Sequence, residues 1–116
     1  MPLARTKLSE FSITRGEPSW FHSSGTVRRG FCAHCGTPLF FDLPGYGVIS
    51  IALGSLDSPS QVKLEFQCGT ESRMPWFDAL AALPDVPASE KWYAKIAGAA
   101  FQHPDHDTSE WSLKTV

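Results

Sequence analysis

The chain has 116 residues, of which 42% are hydrophobic and 19% are charged, and its net charge is −2. This composition is typical of a folded globular protein, and the length fits a single domain over residues 1–116. The slightly acidic balance argues against a basic surface for nucleic acid or for an anionic membrane. No apolar run reaches the length of a membrane helix, and residues 1–12 lack the apolar centre of a signal peptide, so we expect a cytoplasmic protein.

Short alternating segments separated by turn residues predict a mainly β fold. The run from Val48 to Leu53 is almost entirely apolar, so we expect this strand to be buried on both faces. In chain order, the predicted strands are 11–14, 20–22, 27–31, 39–41, 48–53 and 62–66.

The last third of the chain has a different pattern. Apolar spacing from Trp92 to Ala99 predicts one short helix within residues 87–100, and Ser89 is its expected N-cap. The polar segment 102–116 is expected to lie along the surface. The predicted fold class is therefore mainly β with one short C-terminal helix.

The motif with the most specific chemistry is Cys32-Ala33-His34-Cys35-Gly36-Thr37, called the knuckle below. Two cysteines two residues apart can hold one metal ion, and Gly36 can take the positive φ that closes the turn. The residues that follow predict a turn and a strand, which favours metal binding over thioredoxin-like redox chemistry. Cys68 is the third cysteine, and we expect it to be a small core residue.

Three motifs occur in the order and spacing of one family: Arg29-Gly-Phe-Cys-Ala-His-Cys-Gly-Thr-Pro-Leu39, Ala52-Leu-Gly-Ser-Leu-Asp57 and Glu71-Ser-Arg-Met-Pro-Trp-Phe77. On these residues the chain resembles the glutathione-dependent formaldehyde-activating enzyme family, whose eukaryotic relatives include centromere protein V. The resemblance runs from about Thr6 to about Asp85 and corresponds to the later part of that family's domain. It implies a β-tent fold of several small coiled antiparallel sheets around zinc. It also implies a carbon–sulfur lyase that acts on S-hydroxymethylglutathione or related thiol adducts.

The resemblance assigns Cys32 and Cys35 to the second half of the family's structural zinc site. The first half, and the Cys-x-Cys-x-x-Cys segment that binds the family's catalytic zinc, would lie upstream and do not occur in this sequence. Gln67 stands where many members have a histidine, and Cys68 where they usually have an apolar residue. A catalytic zinc needs three protein ligands and an open position, from which it acts as a Lewis acid. We therefore expect zinc to be absent or incompletely ligated, and we assign no catalytic residue.

Other side chains of the sequence could act as substitute ligands. We interpret His22 as a partly buried hydrogen-bonding residue and expect the His34 side chain to point away from a metal in the knuckle. The last two histidines lie in a polar segment that is more often simply solvated. The full set of candidates is His22, His34, Cys68, His103, Asp105 and His106.

The knuckle has three expected fates. It can hold zinc with two outside ligands, remain as two thiols, or oxidise to a local disulfide. We rank an empty or partly occupied knuckle first. A four-thiolate site shared by two subunits across a two-fold axis ranks second, and it would make a homodimer obligate.

Arg73 and Trp76 are the candidate ligand-binding residues. A guanidinium recognises carboxylates bidentately, so Arg73 beside Trp76 can bind a carboxylate of a glutathione-like ligand. The alternative is a surface pair of Arg73 with Glu71, with Pro75-Trp76-Phe77 as a packing corner. We also expect Asp57 to cap the backbone of the turn after the apolar strand.

Two functions stay open on the sequence. The first is a zinc-dependent carbon–sulfur lyase, or a fragment of one, with a small-molecule thiol adduct as its partner. The second is a catalytically inactive small β scaffold or binding domain with half a zinc knuckle. Neither involves nucleic acid or a membrane. Because residues 1–7 read smoothly into the family pattern, we expect the natural protein to extend upstream; the competing expectation is a genuine short member.

Overall fold

The computed structural model describes residues 1–87, 89–99 and 101. That part of the chain contains five strands and one α-helix, which confirms the mainly β prediction with its late helix. The elements are β1 (Leu3–Lys7), β2 (Ser19–His22), β3 (Arg28–Phe31), β4 (Pro38–Asp42), β5 (Val48–Ala52) and α1 (Lys91–Gly98). Short 3-10 helices lie at Leu8–Glu10, Leu53–Ser55, Pro59–Gln61, Thr70–Ser72 and Phe77–Ala82.

The five strands form one antiparallel sheet in the order β1-β5-β4-β3-β2. The resemblance implied several small sheets; here the described strands all belong to a single one. The connections from β2 to β5 are short, so each strand pairs with the one before it and the sheet continues without a break. Strand β1 then pairs with the outer side of β5.

The core of the sheet lies on β5, between β1 and β4. Ile49, Ser50 and Ala52 are buried, and Leu53 is buried just after the strand. Successive side chains of a strand point to opposite faces, so the burial of Ile49 and Ser50 means that both faces are covered. The prediction for this apolar run is confirmed.

A close approach of three residues joins β2, β3 and β4. Trp20, Gly30 and Phe40 are cross-strand partners, and the two aromatic rings stack with centroids 5.9 Å apart. A Cβ atom on Gly30 would lie 2.7 Å from Cδ2 of Phe40 and 3.0 Å from Cζ3 of Trp20. Glycine is therefore required here because the rings occupy the space of its missing side chain. Phe11 packs edge-on against Phe40, with ring centroids 5.3 Å apart.

A part-buried ion pair lies in the next row of the same sheet. The Arg28 Nε donates to Oδ2 of Asp42 at 2.6 Å, and the guanidinium lies 4.1 Å from the centroid of the Trp20 ring. The Asp42 residue is only 3% exposed. This pair links β3 to β4 with a defined register, because a buried carboxylate is stable only beside its cation.

The chain divides into two compact units, one containing Met1–Leu64 and one beginning at Glu65. The first holds the sheet, and the second holds two of the 3-10 helices and α1. No helix in the described ranges is both long and apolar enough to cross a membrane. The single-domain expectation for residues 1–116 stays a prediction.

Two strand predictions were wrong, and one strand was missed. Segments 11–14 and 62–66 are irregular, and β1 was not predicted. In the first two, local turns compete with strand pairing: Phe11 N donates to the Leu8 carbonyl, and Val62 N donates to the Pro59 carbonyl. The expectation for 102–116 lies outside the described residues.

Candidate functional site

The knuckle is the connection between β3 and β4. The Cys32 N–H donates to the Thr37 carbonyl at 3.0 Å, and the Gly36 N–H donates to the Cys32 carbonyl at 2.8 Å. Gly36 has a φ of 74°, which confirms the left-handed conformation predicted for it. The turn therefore holds Cys32 and Cys35 on one short, hydrogen-bonded loop.

The two knuckle thiols differ in exposure, and the pKa of one of them is lowered. Cys32 is half-buried, Cys35 is exposed, and both are free thiols. The Thr37 hydroxyl lies 3.0 Å from the Cys35 Sγ, and its hydrogen bond is the main reason that the pKa of Cys35 lies below that of an ordinary thiol. The Thr37 backbone N–H and the Cys32 thiol lower this pKa further, against a slight opposing effect of burial. Cys35 is thus biased towards the thiolate, the form that binds metals.

The residues present fit half of the structural zinc site that the family pattern implies. Such a site needs four ligands, and Cys32 and Cys35 supply two thiolates on a suitable turn. In the described part of the chain, no group of three or more His, Cys, Asp or Glu side chains is placed to hold a metal ion. The described residues therefore do not fit a catalytic zinc.

The other candidate ligands are dispersed. His22 ends the edge strand β2 and is exposed, so the prediction of partial burial was wrong. Cys68 was predicted to be a core residue but is exposed, because it lies in an irregular segment just before Gly69, whose φ is 69°. His34 is exposed within the knuckle. The remaining candidates, His103, Asp105 and His106, lie outside the described residues.

Arg73 lies in a cluster of the second unit. Its Nη1 is 3.3 Å from Oδ1 of Asp78, its Nη2 donates to Oε1 of Gln67, and its guanidinium is 5.3 Å from the Phe77 ring centroid. Asp78, rather than Glu71, is thus its carboxylate partner. Trp76 is 60% exposed, so its ring is not the packing corner considered above. Whether Arg73 and Trp76 bind a ligand stays a prediction.

Asp57 was expected to cap backbone N–H groups of the turn after β5, but the described contact of a side chain with this turn is made by Ser55 and goes to a carbonyl. The Ser55 hydroxyl donates to the Ala52 carbonyl at 2.8 Å. The backbone of this turn is a short 3-10 helix, Leu53–Ser55, and Asp57 lies exposed beyond it. An ionised carboxylate only accepts hydrogen bonds, so Asp57 could not take the place of the serine on this carbonyl.

Sequence reasoning missed a pocket beside the knuckle. It has a volume of about 370 Å³ and lies within the first unit. Phe31 and Pro38, the residues that flank the knuckle on either side, both line it. The full lining is Met1, Phe21, Arg29, Gly30, Phe31, Pro38 and Phe40. These residues lie far apart in sequence, so only the pairing of β2, β3 and β4 brings most of them together.

Comparison with known proteins supports the motif resemblance. A model of the glutathione-dependent formaldehyde-activating enzyme family matches residues 2–72. That stretch includes all five strands and the knuckle, and it ends one residue before Arg73. Searches of curated proteins and of solved structures found no match. Because the matched stretch covers more than half of the chain, the protein belongs to the glutathione-dependent formaldehyde-activating enzyme family.

Proposed function

We propose that this protein is a carbon–sulfur lyase that acts on glutathione-type thiol adducts such as S-hydroxymethylglutathione. The family match over residues 2–72 is the observation that carries the proposal, since it spans the whole sheet and the knuckle. In this reaction the carbon–sulfur bond breaks, its electron pair goes to sulfur, and the hydroxyl loses its proton as formaldehyde forms. The sulfur takes up a proton, so one adduct yields one thiol and one aldehyde.

Zinc is part of this proposal as a structural group of the knuckle. Cys32 and Cys35 would hold it, and the lowered pKa of Cys35 favours the thiolate that zinc requires. A complete structural zinc site stabilises a small domain by about 10–16 kcal/mol, and half a site loses most of that. The exposure of Cys35 makes the knuckle accessible to a second copy, which supports a homodimer with four shared thiolates. We route no catalytic step through zinc, because the described residues do not supply its ligands.

Arg73 and Trp76 are the proposed contacts for the adduct. To bind a ligand carboxylate, Arg73 must exchange its contact with Asp78, whose side chain is 78% exposed. Surface ion pairs of this kind contribute about 0–1 kcal/mol, so a bidentate ligand carboxylate can replace it at little cost. The exposed face of Trp76 is available to pack against the rest of the ligand.

A second candidate function is a catalytically inactive binding domain. It is favoured by the same knuckle geometry: two thiols fit a structural half-site, and the described residues place no third ligand beside them. Such a domain would keep the family's sheet and bind the adduct without converting it. A cytoplasmic location is part of both proposals and is supported by the three free cysteines.

One experiment separates the two candidates. The protein is purified with added zinc, its metal content per chain and its mass in solution are measured, and glutathione–formaldehyde exchange is followed by NMR. Exchange faster than the uncatalysed rate, lost in Cys35→Ser but kept in Cys68→Ser, supports the lyase. Saturable binding of the adduct without faster exchange supports the binding domain. Absence of both binding and faster exchange overturns both proposals.

A further inference from the structure

We infer that the pocket beside the knuckle binds a small apolar monocarboxylate, with the ligand's apolar part on the pocket's aromatic side chains and its carboxylate on Arg29. This site shares no residue with the cysteine pair or with Arg73 and Trp76. It therefore does not depend on the proposed lyase function.

The size and lining of the pocket indicate a small apolar ligand. Its volume of about 370 Å³ lies within the range of small-molecule sites, roughly 300–1,000 Å³. Three phenylalanines line it, and Phe21 is 63% exposed. An aromatic ring this exposed beside a concave surface is stabilised when a ligand removes its apolar surface from water.

Arg29 supplies the charge complementarity of the pocket. Its guanidinium lies 5.3 Å from the Phe41 ring centroid, and among the described residues no carboxylate lies within ion-pair distance of it. Its neighbour Arg28, in contrast, is matched to Asp42. One unmatched guanidinium, on a residue that lines an apolar pocket, favours a ligand with a single negative charge, and a carboxylate matches its bidentate geometry.

The sheet provides a matched control for Arg29. Arg29 pairs with Phe41, Phe41 with Ser50, and Ser50 with Arg5, so both arginines lie in one cross-strand row. Arg5 is exposed but lies three strands away, at roughly 14 Å for strands about 4.8 Å apart. At physiological salt this distance exceeds the screening length of about 8 Å.

Octanoate is the test ligand, with octanol as its neutral counterpart, and binding is followed through the amide NMR signals of Gly30 and Phe31. We expect octanoate to bind about tenfold more tightly than octanol. Arg29→Gln should remove that difference, Arg29→Lys should keep part of it, and Arg5→Gln should leave it within about twofold. Phe21→Ala should weaken both ligands.

Several outcomes would overturn the inference. Equal affinity for octanoate and octanol in the unmodified protein would remove the role of Arg29, as would an unchanged octanoate affinity in Arg29→Gln. If Phe21→Ala binds octanoate normally, the ligand lies elsewhere. If the pocket signals shift with protein concentration and octanoate does not reverse the shift, the pocket is instead a contact between copies of the chain. Circular dichroism of each variant verifies that the sheet is retained.

Discussion

Replacing Gly30 with alanine tests the close approach at the centre of the sheet. The new Cβ would lie 2.7 Å from Cδ2 and 3.1 Å from Cβ of Phe40, and 3.0 Å from Cζ3 of Trp20. A ring atom can move aside, but the Cβ of Phe40 is fixed to the β4 backbone. Overpacking of this kind costs about 1–3 kcal/mol, while the lower entropy of the unfolded chain returns about 0.4–1 kcal/mol. We therefore expect Gly30→Ala to lower the free energy of unfolding by about 1–2 kcal/mol.

The assay is urea denaturation followed by circular dichroism, with Gly25→Ala as the control. Gly25 lies in the turn between β2 and β3, where an added Cβ meets no atom within 4 Å, so its replacement should be neutral or slightly stabilising. In a Phe40→Leu background the cost of Gly30→Ala should fall, because the ring that blocks the Cβ is gone. Equal stability of Gly30→Ala and Gly25→Ala would refute the claim that the neighbouring rings exclude a Cβ atom at Gly30.

Three further predictions concern the ion pair and the knuckle. Arg28→Met leaves the Asp42 carboxylate buried without its cation and should lower the free energy of unfolding, measured in urea, by about 3 kcal/mol. This is the lower end of the range for buried ion pairs, because the Arg28 side chain is 35% exposed. A loss below about 1 kcal/mol would contradict the prediction. Thr37→Val removes the main cause of the lowered Cys35 pKa, so iodoacetamide should alkylate Cys35 more slowly near about pH 7. The alkylation rate of Cys68 serves as the internal reference, and an unchanged rate at Cys35 would contradict the prediction. Since the folded-state pKa of Cys35 is depressed, the contribution of this contact to stability is present above the unfolded-state pKa and is lost as the pH falls through the folded-state value. Zinc binding measured by chelator competition should be lost in Cys35→Ser and kept in Cys68→Ser, and loss in both would place the metal elsewhere.

The strands that were predicted correctly are those whose partners lie next to them in the chain. Strands β2 to β5 follow one another in the chain and are joined by short turns, so local pattern and pairing agree. Segments 11–14 and 62–66 have an alternating pattern but are irregular, because a strand is stable only when a neighbouring strand pairs with it. Strand β1 has a weak pattern and owes its conformation to pairing with β5, which no local signal reveals.

The same distinction applies to the candidate site: features set by adjacent residues were predictable, and features set by the folded chain were not. The turn around Cys32 and the positive φ of Gly36 follow from adjacent residues, so both were predictable. The carboxylate partner of Arg73 was not predictable, because Asp78 and Glu71 are both close to Arg73 in sequence. Only the folded segment places Asp78 against the guanidinium. The pocket beside the knuckle depends on the pairing of three strands, which no local sequence signal reveals.

The place of β1 in the sheet has a consequence for synthesis. Lys7 pairs with Val48, so β1 leaves the ribosome 41 residues before the start of its partner strand. At about 5–20 residues per second this delay lasts about 2–8 s, far longer than a hairpin needs to form. During that interval the backbone of β1 is solvated, while β2, β3 and β4 can already pair. The first described strand to be synthesised therefore cannot form its hydrogen bonds in the sheet until β5, the last of the five, has been made.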